Sequence, residues 1–496
     1  MENSARGIGK REERFSDGIK SFPPDLPAGS AMPDDITSRP VKARNVTAID
    51  SVFFIASIKP ARLSAAIITV MVGLLAASFF TISPLLILGL GMTAFPYLGA
   101  LILRIFAPHL LKPEKATFLP DHLLPCYTIL LPLHKEANMI PQLAHMMRLI
   151  DYPAARLEIL VLLEARDLPT YRAAMRANWP PNTRIIIVPH RANPTKPFAC
   201  NHGLRHARGD ILVIYDAEDH PHPQQLREAA ARFHAAPERL ACLQAPLVIT
   251  ESGRHFLEAH FALEYGVLFG ALLPTLALFG QALPLGGTSN HFRTKVLRDI
   301  GGWDSDNLTE DADLGYRLAR KKYQIRMLEH PTYENAPHSF KIWFMQRTRW
   351  LSGHIQTWCV HMRTPARTRR GLGVIGFILF NLFMMTRVMT GPSHALFVVP
   401  VLLFGATESG LTLGVSMFSY LVVIGLALCF PQSKSRWRHV FTVITLPLYW
   451  LCLAAPAFFA AYRMATHENE WLKSPHKPGQ SVRRWRLRSI FRKRRH

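Results

Sequence analysis

Closely spaced cysteines are absent from this sequence. Its six cysteines are scattered over 496 residues, and no two of them form a CxxC pair. Disulfide frameworks and structural zinc sites are recognised by such spacings. The sequence therefore predicts neither, and its cysteine usage is typical of a domain in a reducing compartment.

A cleavable signal peptide is also missing from the N-terminus. The first 50 residues mix Pro, Gly, Ser and charges of both signs, without a continuous apolar run. A segment of this composition cannot bury enough apolar surface to fold alone. We therefore expect residues 1–55 to form a disordered tail.

Acidic residues are scarce relative to basic ones. The chain has 35 Asp and Glu against 58 Lys and Arg, a formal charge of +23. The excess is concentrated in RTPARTRR (363–370) and in the C-terminal SVRRWRLRSIFRKRRH, both close to apolar segments. Basic segments beside apolar ones are typical of contact with anionic lipid. We expect the lipid bilayer as a partner and no nucleic acid; a membrane-tethered nucleic-acid binder is the rival that charge alone would allow.

Long apolar runs are abundant. Residues 61–107 could form two helices of bilayer length, and four further runs follow a polar stretch, at 371–389, 394–406, 411–430 and 439–462. We expect a transmembrane hairpin at 56–110, about four transmembrane helices within 366–464, and a basic tail at 465–496. The Lys and Arg excess predicts that the intervening domain and the tail are cytoplasmic.

One basic loop, PQSKSRWRH (431–439), disagrees with six membrane crossings because it would lie outside. Either the short segment 394–406 does not cross, or Pro447 and Pro456 mark a broken last helix. The sequence leaves both alternatives open.

Between the apolar segments the pattern changes. Short runs rich in Leu, Ile and Val alternate with polar helical stretches; the runs are YTILLPL (127–133), LEILVLL (157–163), RIIIV (184–188) and DILVIY (210–215). Fully apolar strands that alternate with helices predict a parallel sheet covered on both faces. We expect an α/β domain at 111–365, inserted in an α-helical transmembrane bundle.

Ionisable side chains follow all four predicted strands. The first strand ends in His134, Lys135 and Glu136, the second in Glu164, and the third leads to Lys196. Ligands of open parallel sheets bind beyond the carboxyl ends of the strands. We therefore expect these side chains to gather at one rim of the sheet.

Three acids follow the fourth strand within four positions, Asp216, Glu218 and Asp219. Carboxylates this close cannot all remain ionised without a compensating cation. Mg²⁺ and Mn²⁺ favour carboxylate oxygens, and Mg²⁺ commonly binds one or two of them together with substrate phosphates. The segment predicts a Mg²⁺ or Mn²⁺ site for a phosphate ligand.

A second acidic group, Thr309, Glu310 and Asp311, precedes an amphipathic helix. Acids in a first helical turn are favourable with the helix dipole, so a capping role would explain them. A helix start is also suited to hold a carboxylate in a cleft as a general base. Both roles are compatible.

The segment HSFKIWFMQRTRWLSGHIQTW (338–358) carries Gln346, Arg349 and Trp350 at i, i+3 and i+4, on one helical face. A guanidinium beside an indole could bind a pyrophosphate and stack on a sugar ring.

These segments together resemble the inverting, processive glycosyltransferases of family 2, which include cellulose, curdlan, chitin and hyaluronan synthases. The resemblance rests on LPLHKE (131–136), Glu164, Lys196, DAED (216–219), TED (309–311) and QRTRW (346–350), in the family's order and between membrane segments. It covers roughly residues 120–360 and is nearest to bacterial exopolysaccharide synthases. It implies the Rossmann-like GT-A fold for the α/β domain, on the cytoplasmic side of the bacterial inner membrane.

The resemblance also implies residue roles. The uridine pocket would be lined by His134, Glu136 and Glu164, the pyrophosphate would face Lys196 and Arg349, and the acceptor sugar would lie near Gln346 and Trp350. Asp311 would be the catalytic base, with Glu310 beside it. Asp216 would contact the ribose or the metal, Glu218 replaces the second Asp of the family's DxD motif, and Asp219 is a further candidate metal ligand.

The apolar segment 264–287 tests this interpretation. It is long enough to span a bilayer, but a crossing here would separate DAED from TED on opposite sides. We therefore expect it to lie at the membrane interface or within the protein.

The resulting hypothesis is a membrane enzyme that polymerises a β-linked polysaccharide from a UDP-sugar, UDP-glucose or UDP-N-acetylglucosamine, and exports it. Its partners would be the donor, the growing glycan and the bilayer; accessory export subunits are an open matter. One alternative is transfer of a single sugar to a membrane lipid by the same residues. Another is a polysaccharide transporter without catalysis.

Overall fold

The computed structural model describes residues 118–191, 194–250, 255–395, 421, 424–425 and 436–466. The expected N-terminal tail and hairpin lie outside these residues. So do nearly all of the predicted segments 394–406 and 411–430 and of the basic tail.

The described residues contain ten strands. They are β1 (Tyr127–Leu133), β2 (Leu157–Glu164), β3 (Thr183–Val188), β4 (Ile211–Ile214), β5 (His220–Pro221), β6 (Leu240–Gln244), β7 (Leu247–Thr250), β8 (Asn290–Arg293), β9 (Gln324–Met327) and β10 (Thr332–Asn335). Seven of them form a sheet in the order β3-β2-β1-β4-β8-β6-β9, and a second sheet has the order β5-β10-β7.

The larger sheet is mixed. Strand β1 pairs in parallel with β2 and β4, and β2 pairs in parallel with β3. Strand β8 runs antiparallel to both β4 and β6. The predicted α/β class and the parallel arrangement of the first four strands are confirmed, and the antiparallel insertion of β8 is an addition to that prediction.

Helices flank the sheets and continue beyond them. They are α1 (Ile140–Met147), α2 (Leu168–Arg176), α3 (Lys196–His206), α4 (Gln225–Ala235), α5 (Phe256–Val267), α6 (Leu273–Leu278), α7 (Thr294–Asp299), α8 (Glu310–Arg320), α9 (Phe340–Met362), α10 (Pro365–Ser393), α11 (Arg436–Ile444), α12 (Leu446–Cys452) and α13 (Ala454–Ala465). A π-helical turn, Leu268–Leu272, joins α5 to α6.

The core explains why the central strands are largely apolar on both faces. Successive side chains of a strand point to opposite faces of a sheet. Ile129 and Leu131 of β1 pack in a cluster with α1 and α4, whereas the intervening Leu130 packs in a second cluster with α3 and α8. Because both faces of the sheet are buried, these strands do not show the alternation of apolar and polar residues that a half-exposed strand shows.

Three helical stretches are long and apolar enough to cross a membrane, Phe256–Leu278, Pro365–Pro392 and Leu446–Ala465. The second contains the predicted span 371–389. The last corresponds to 439–462, which is divided into α11, α12 and α13, and Pro447 and Pro456 lie near the starts of the latter two. Breaks before prolines favour the broken-helix alternative for this region.

The segment 264–287 is helical only in its first part. Its helix begins earlier, at Phe256, and ends at Leu278. Gly280 has φ of 61°, and the N–H of Gln281 donates to the carbonyl of Leu276 over 2.9 Å, a glycine-dependent helix end. The chain then runs without helix to Gly287, which lines a cleft.

Candidate active site

A cleft of about 520 Å³ opens at the carboxyl ends of the first strands. Its wall contains nearly every residue singled out from the sequence: His134, Glu136, Glu164, Lys196, Asp216, Glu218, Glu310, Asp311, Gln346, Arg349 and Trp350. Ionisable groups separated by up to about 200 positions in the chain thus share one space, as the parallel-strand rule predicts.

The loop after β1 is fixed by the start of α2. Asp167 caps α2 by accepting the N–H of Thr170, and it also accepts the N–H of Lys135. The hydroxyl of Thr170 accepts the N–H of Glu136 over 3.0 Å. These bonds hold Lys135 at φ of 53°, an uncommon conformation for a residue with a side chain.

Glu164, the last residue of β2, lies at the same end of the cleft. Its side chain is buried, and this burial, followed by the nearby Asp167, raises the pKa of Glu164 to about 7. The group can therefore gain or lose a proton near neutral pH.

The acidic turn after β4 divides its carboxylates between two environments. Asp216 and Glu218 line the cleft, but Asp219 does not and is only 1% exposed. One oxygen of Asp219 accepts the backbone N–H of Asp216 over 2.7 Å and the hydroxyl of Thr288. The structure therefore gives Asp219 contacts that shape the turn, in contrast to the cleft position expected of a metal ligand.

Lys196 is the first residue of α3, whose start is capped by the hydroxyl of Thr195. Its ammonium forms an ion pair with Asp216 and donates to the carbonyl of Gly287 over 2.6 Å. Burial alone would lower the pKa of Lys196, but the adjacent carboxylates, Asp216 first, hold it above its usual value. The lysine thus stays cationic in the cleft.

Asp311 lies in the first turn of α8, and one of its oxygens accepts the N–H of Ala312 over 2.8 Å. A methyl group placed on Gly287 would lie 3.4 Å from the other oxygen and 3.9 Å from the ammonium of Lys196. The Asp311 carboxylate and the Lys196 ammonium therefore both lie beside Gly287. Burial raises the pKa of Asp311, and burial together with Asp311 raises the pKa of Glu310.

Helix α9 presents Gln346, Arg349 and Trp350 to the cleft, as their spacing predicts. It packs tightly on the segment before Asp311, because a side chain on Gly353 would collide with Thr309. Asn307 also donates to Thr357 of α9 over 3.1 Å. The candidate base and the QRTRW helix are therefore held as one unit.

Several cleft residues were not identified from the sequence. Glu334 of β10, Tyr265 of α5 and His354 of α9 all line it. Arg387 of α10 lines it too, and the sequence had indicated it as a charged residue inside the predicted span 371–389. Glu334 lies in a strand of the second sheet, and the others belong to helices with an apolar pattern. The one sequence signal for Glu334 was an acidic residue within the short segment TYEN (332–335).

The donor set can be tested for a divalent cation. Within the described residues, no three or more His, Cys, Asp or Glu side chains are arranged as a metal site. Asp216 and Glu218 nevertheless both face the cleft. Two carboxylates suffice for Mg²⁺ when phosphate oxygens complete its shell, so this pair fits such an ion when a diphosphate is bound.

Comparison with known proteins agrees with this arrangement. Residues 211–462, just over half of the chain, match the family described as Glycosyl transferase family group 2. The chain belongs to this family: it is a glycosyltransferase, and its α/β domain has the GT-A fold.

Relatives in this family differ in what their names say they make. The chain is 23% identical over 376 residues to "Probable glycosyltransferase YdaM" of Bacillus subtilis, covering 71% of this chain and 87% of that protein. It is 24% identical to a "Beta-monoglucosyldiacylglycerol synthase" of Trichormus variabilis, covering 52% and 55%. It is 26% identical to "Cellulose synthase 1 catalytic subunit [UDP-forming]" of Komagataeibacter xylinus, covering 47% and 31%.

Proposed function

We propose that this glycosyltransferase transfers a hexosyl unit from a UDP-sugar, with inversion, and so extends a β-linked polysaccharide at the bacterial inner membrane. One observation carries the proposal: Asp216, Lys196 and Asp311 meet around Gly287 in a single cleft. A cation, an acid for a metal or ribose, and a separate carboxylate for a proton are the groups that this chemistry needs.

The donor would occupy the end of the cleft near the sheet. His134, Glu136 and Glu164 would surround the uridine, and Lys196 and Arg349 would face the diphosphate. A Mg²⁺ or Mn²⁺ held by Asp216 and Glu218 would supply further positive charge to the leaving diphosphate. Asp219 would contribute by holding the turn that carries these two acids.

The reaction would use Asp311 as the general base. The acceptor hydroxyl gives its proton to the Asp311 carboxylate while its oxygen forms a bond to C1 of the donor sugar. The C1–O bond to the diphosphate breaks on the opposite face, and UDP leaves with the electron pair. Burial raises the basicity of Asp311, while the N–H of Ala312 and the cations nearby keep it ionisable.

The acceptor would lie beside Gln346 and Trp350, whose indole can stack on a sugar ring. Helix stretches long enough to cross a membrane adjoin this end of the cleft, which supports export of a growing chain along them. A second candidate, single transfer to a membrane lipid, is supported by the similarity to a protein named as a glycolipid synthase. Family membership favours both over the transporter without catalysis.

The proposal is tested with the full chain in lipid nanodiscs, given radiolabelled UDP-glucose or UDP-N-acetylglucosamine with Mg²⁺ or Mn²⁺. We expect UDP release and a labelled polymer, and a loss of about 100-fold or more in rate for Asp311→Asn, the usual worth of a general base. Asp299→Asn, which changes an exposed carboxylate, is the matched control. Full activity of Asp311→Asn would refute the assignment, and labelled lipid without polymer would select the second candidate.

A further inference from the structure

One carboxylate is shared by two guanidinium groups where the cleft meets the helices. Glu264 of α5 binds Arg347 through both of its oxygens, at 3.0 and 2.5 Å, and Arg387 of α10 at 3.3 Å. The hydroxyl of Tyr449 of α12 donates to it over 2.7 Å. We call these four residues the Glu264 cluster; it joins four helices.

The two arginines differ in how they are used. Arg347 is buried, and its guanidinium carbon lies 4.9 Å from the ring centres of both Phe261 and Trp350. Both of its terminal nitrogens are occupied by Glu264. Arg387 makes one hydrogen bond of 3.3 Å to a described residue, and its side chain lines the cleft.

The Glu264 cluster thus carries two positive charges and one negative charge. His354, which lines the same end of the cleft, does not change this balance: burial and then Arg387 lower its pKa to about 3, so it is neutral at physiological pH. Glu334, another acid that lines the cleft, interacts with Asp219, Glu218 and Asp216 and also lies near Tyr265. A half-buried guanidinium with a single long hydrogen bond costs solvation free energy unless a ligand completes its bonds.

The surrounding wall suits an acceptor. Tyr265, Phe269 and Trp350 line the cleft near Arg387 and offer aromatic surface for a sugar ring or an acyl chain. A neutral acceptor would bury this wall and leave Arg387 with its bond to Glu264 as its one hydrogen bond to a described residue. An acceptor with its own negative charge would both cover the aromatic wall and pair with Arg387.

We infer that the acceptor carries an anionic group, a carboxylate or a phosphate, and that Arg387 binds it. The inference rests on the proposed sugar transfer at Asp311. It specifies the class of acceptor, which neither the family nor the proposed reaction does. The anionic group could belong to an acidic sugar of a glycan or to a lipid headgroup, and the experiment separates these sources.

The test compares, for each kind of acceptor, a negatively charged member with a neutral one, with the full chain in nanodiscs of phosphatidylcholine and the same UDP-sugars as donors. One pair consists of oligosaccharides that end in glucuronic acid or in glucose. The other pair consists of phosphatidylglycerol and diacylglycerol. We expect the charged member of one pair to have a kcat/KM about tenfold higher, the worth of one charge-assisted hydrogen bond. The pair that shows this preference identifies the source.

The role of Arg387 is tested with Arg387→Gln and with the control Arg369→Gln, which removes an exposed charge from the part of α10 that precedes its kink at Gly373. Arg387→Gln should raise KM for the charged acceptor about tenfold and leave KM for its neutral partner within twofold. Arg387→Lys should restore part of the preference, and added salt should weaken it in the wild-type chain. These two measurements keep the test decisive if Arg387→Gln does not fold.

Three outcomes would overturn the inference. Neutral and charged acceptors could be used equally by the wild-type chain, Arg387→Gln could raise both KM values equally, or the preference could be insensitive to salt. Binding of the UDP-sugar, measured by calorimetry without acceptor, distinguishes this failure from failure of the proposed function. If neither UDP-sugar binds or is turned over, the proposed function is refuted and the inference with it.

Discussion

The shared carboxylate of Glu264 gives the sharpest prediction of stability. Glu264→Gln keeps the shape of the side chain but removes its charge. The side chain of Arg347 is only 4% exposed, so its guanidinium would remain buried beside a neutral amide in place of a carboxylate. Arg387 and the hydroxyl of Tyr449 would lose the same partner.

The magnitude follows from what is left behind. Removing one partner of a buried ion pair typically costs about 3–5 kcal/mol, because the other charge stays desolvated. The bidentate geometry places the expected loss at the upper part of that range, since both terminal nitrogens of Arg347 are affected. For a chain of this size, we expect the apparent Tm to fall by about 4–5 °C.

Thermal unfolding of the purified chain in nanodiscs, followed by intrinsic fluorescence at one scan rate, measures the change. Glu258→Gln on the same helix is the control, because no described residue forms an ion pair with Glu258. In the double variant with Arg347→Leu, the unpaired guanidinium is gone and part of the loss should be recovered. A fall of less than 1 °C for Glu264→Gln would refute the claim that the Glu264 cluster holds these helices together.

Three further changes have defined outcomes. Gly315→Ala places a methyl group on the carbonyl oxygen of Leu283, so we expect a loss of about 1–3 kcal/mol or more in chemical unfolding; an unchanged midpoint would contradict the packing of α8. The raised pKa of Glu164, about 7 against 4.5, means that its proton stabilises the fold fully below pH 4.5 and that this contribution is lost as pH rises to 7. The unfolding free energy of wild type relative to Glu164→Gln should therefore fall by up to about 3 kcal/mol between pH 4.5 and 8; a rise would be inconsistent with the sign. Thr288→Val removes a hydroxyl donor from buried Asp219 and should cost about 1–3 kcal/mol, and no change in Tm would mean that the contact is unimportant.

The central strands could be predicted from the sequence because the signal, a short apolar run, lies within each strand itself. Strands β1 to β4 are largely apolar on both faces, and such strands are typical of a sheet covered on both faces. Strand β8, NHFR, is short and polar at both ends, so no pattern indicated that it would insert antiparallel between β4 and β6.

The site was predictable to the extent that strand ends fix it. Lys196 lies beyond the third strand and Asp311 lies at the start of an amphipathic helix; both elements could be read directly from the sequence, and both residues reach the cleft. The inward turn of Asp219 depends on Thr288, which is 69 positions away. Glu334 and Arg387 reach the cleft through a second sheet and a membrane-length helix, and their placement depends on tertiary packing that no local pattern records.

The short connection between Gly280 and Gly287 links two environments. On one side it is attached to a stretch of bilayer length, Phe256–Leu278, and on the other its last carbonyl holds the ammonium of Lys196. A bilayer that shifts this stretch would therefore also shift the carbonyl of Gly287 and the space between Lys196 and Asp311. Turnover in bilayers of different acyl-chain length should vary accordingly.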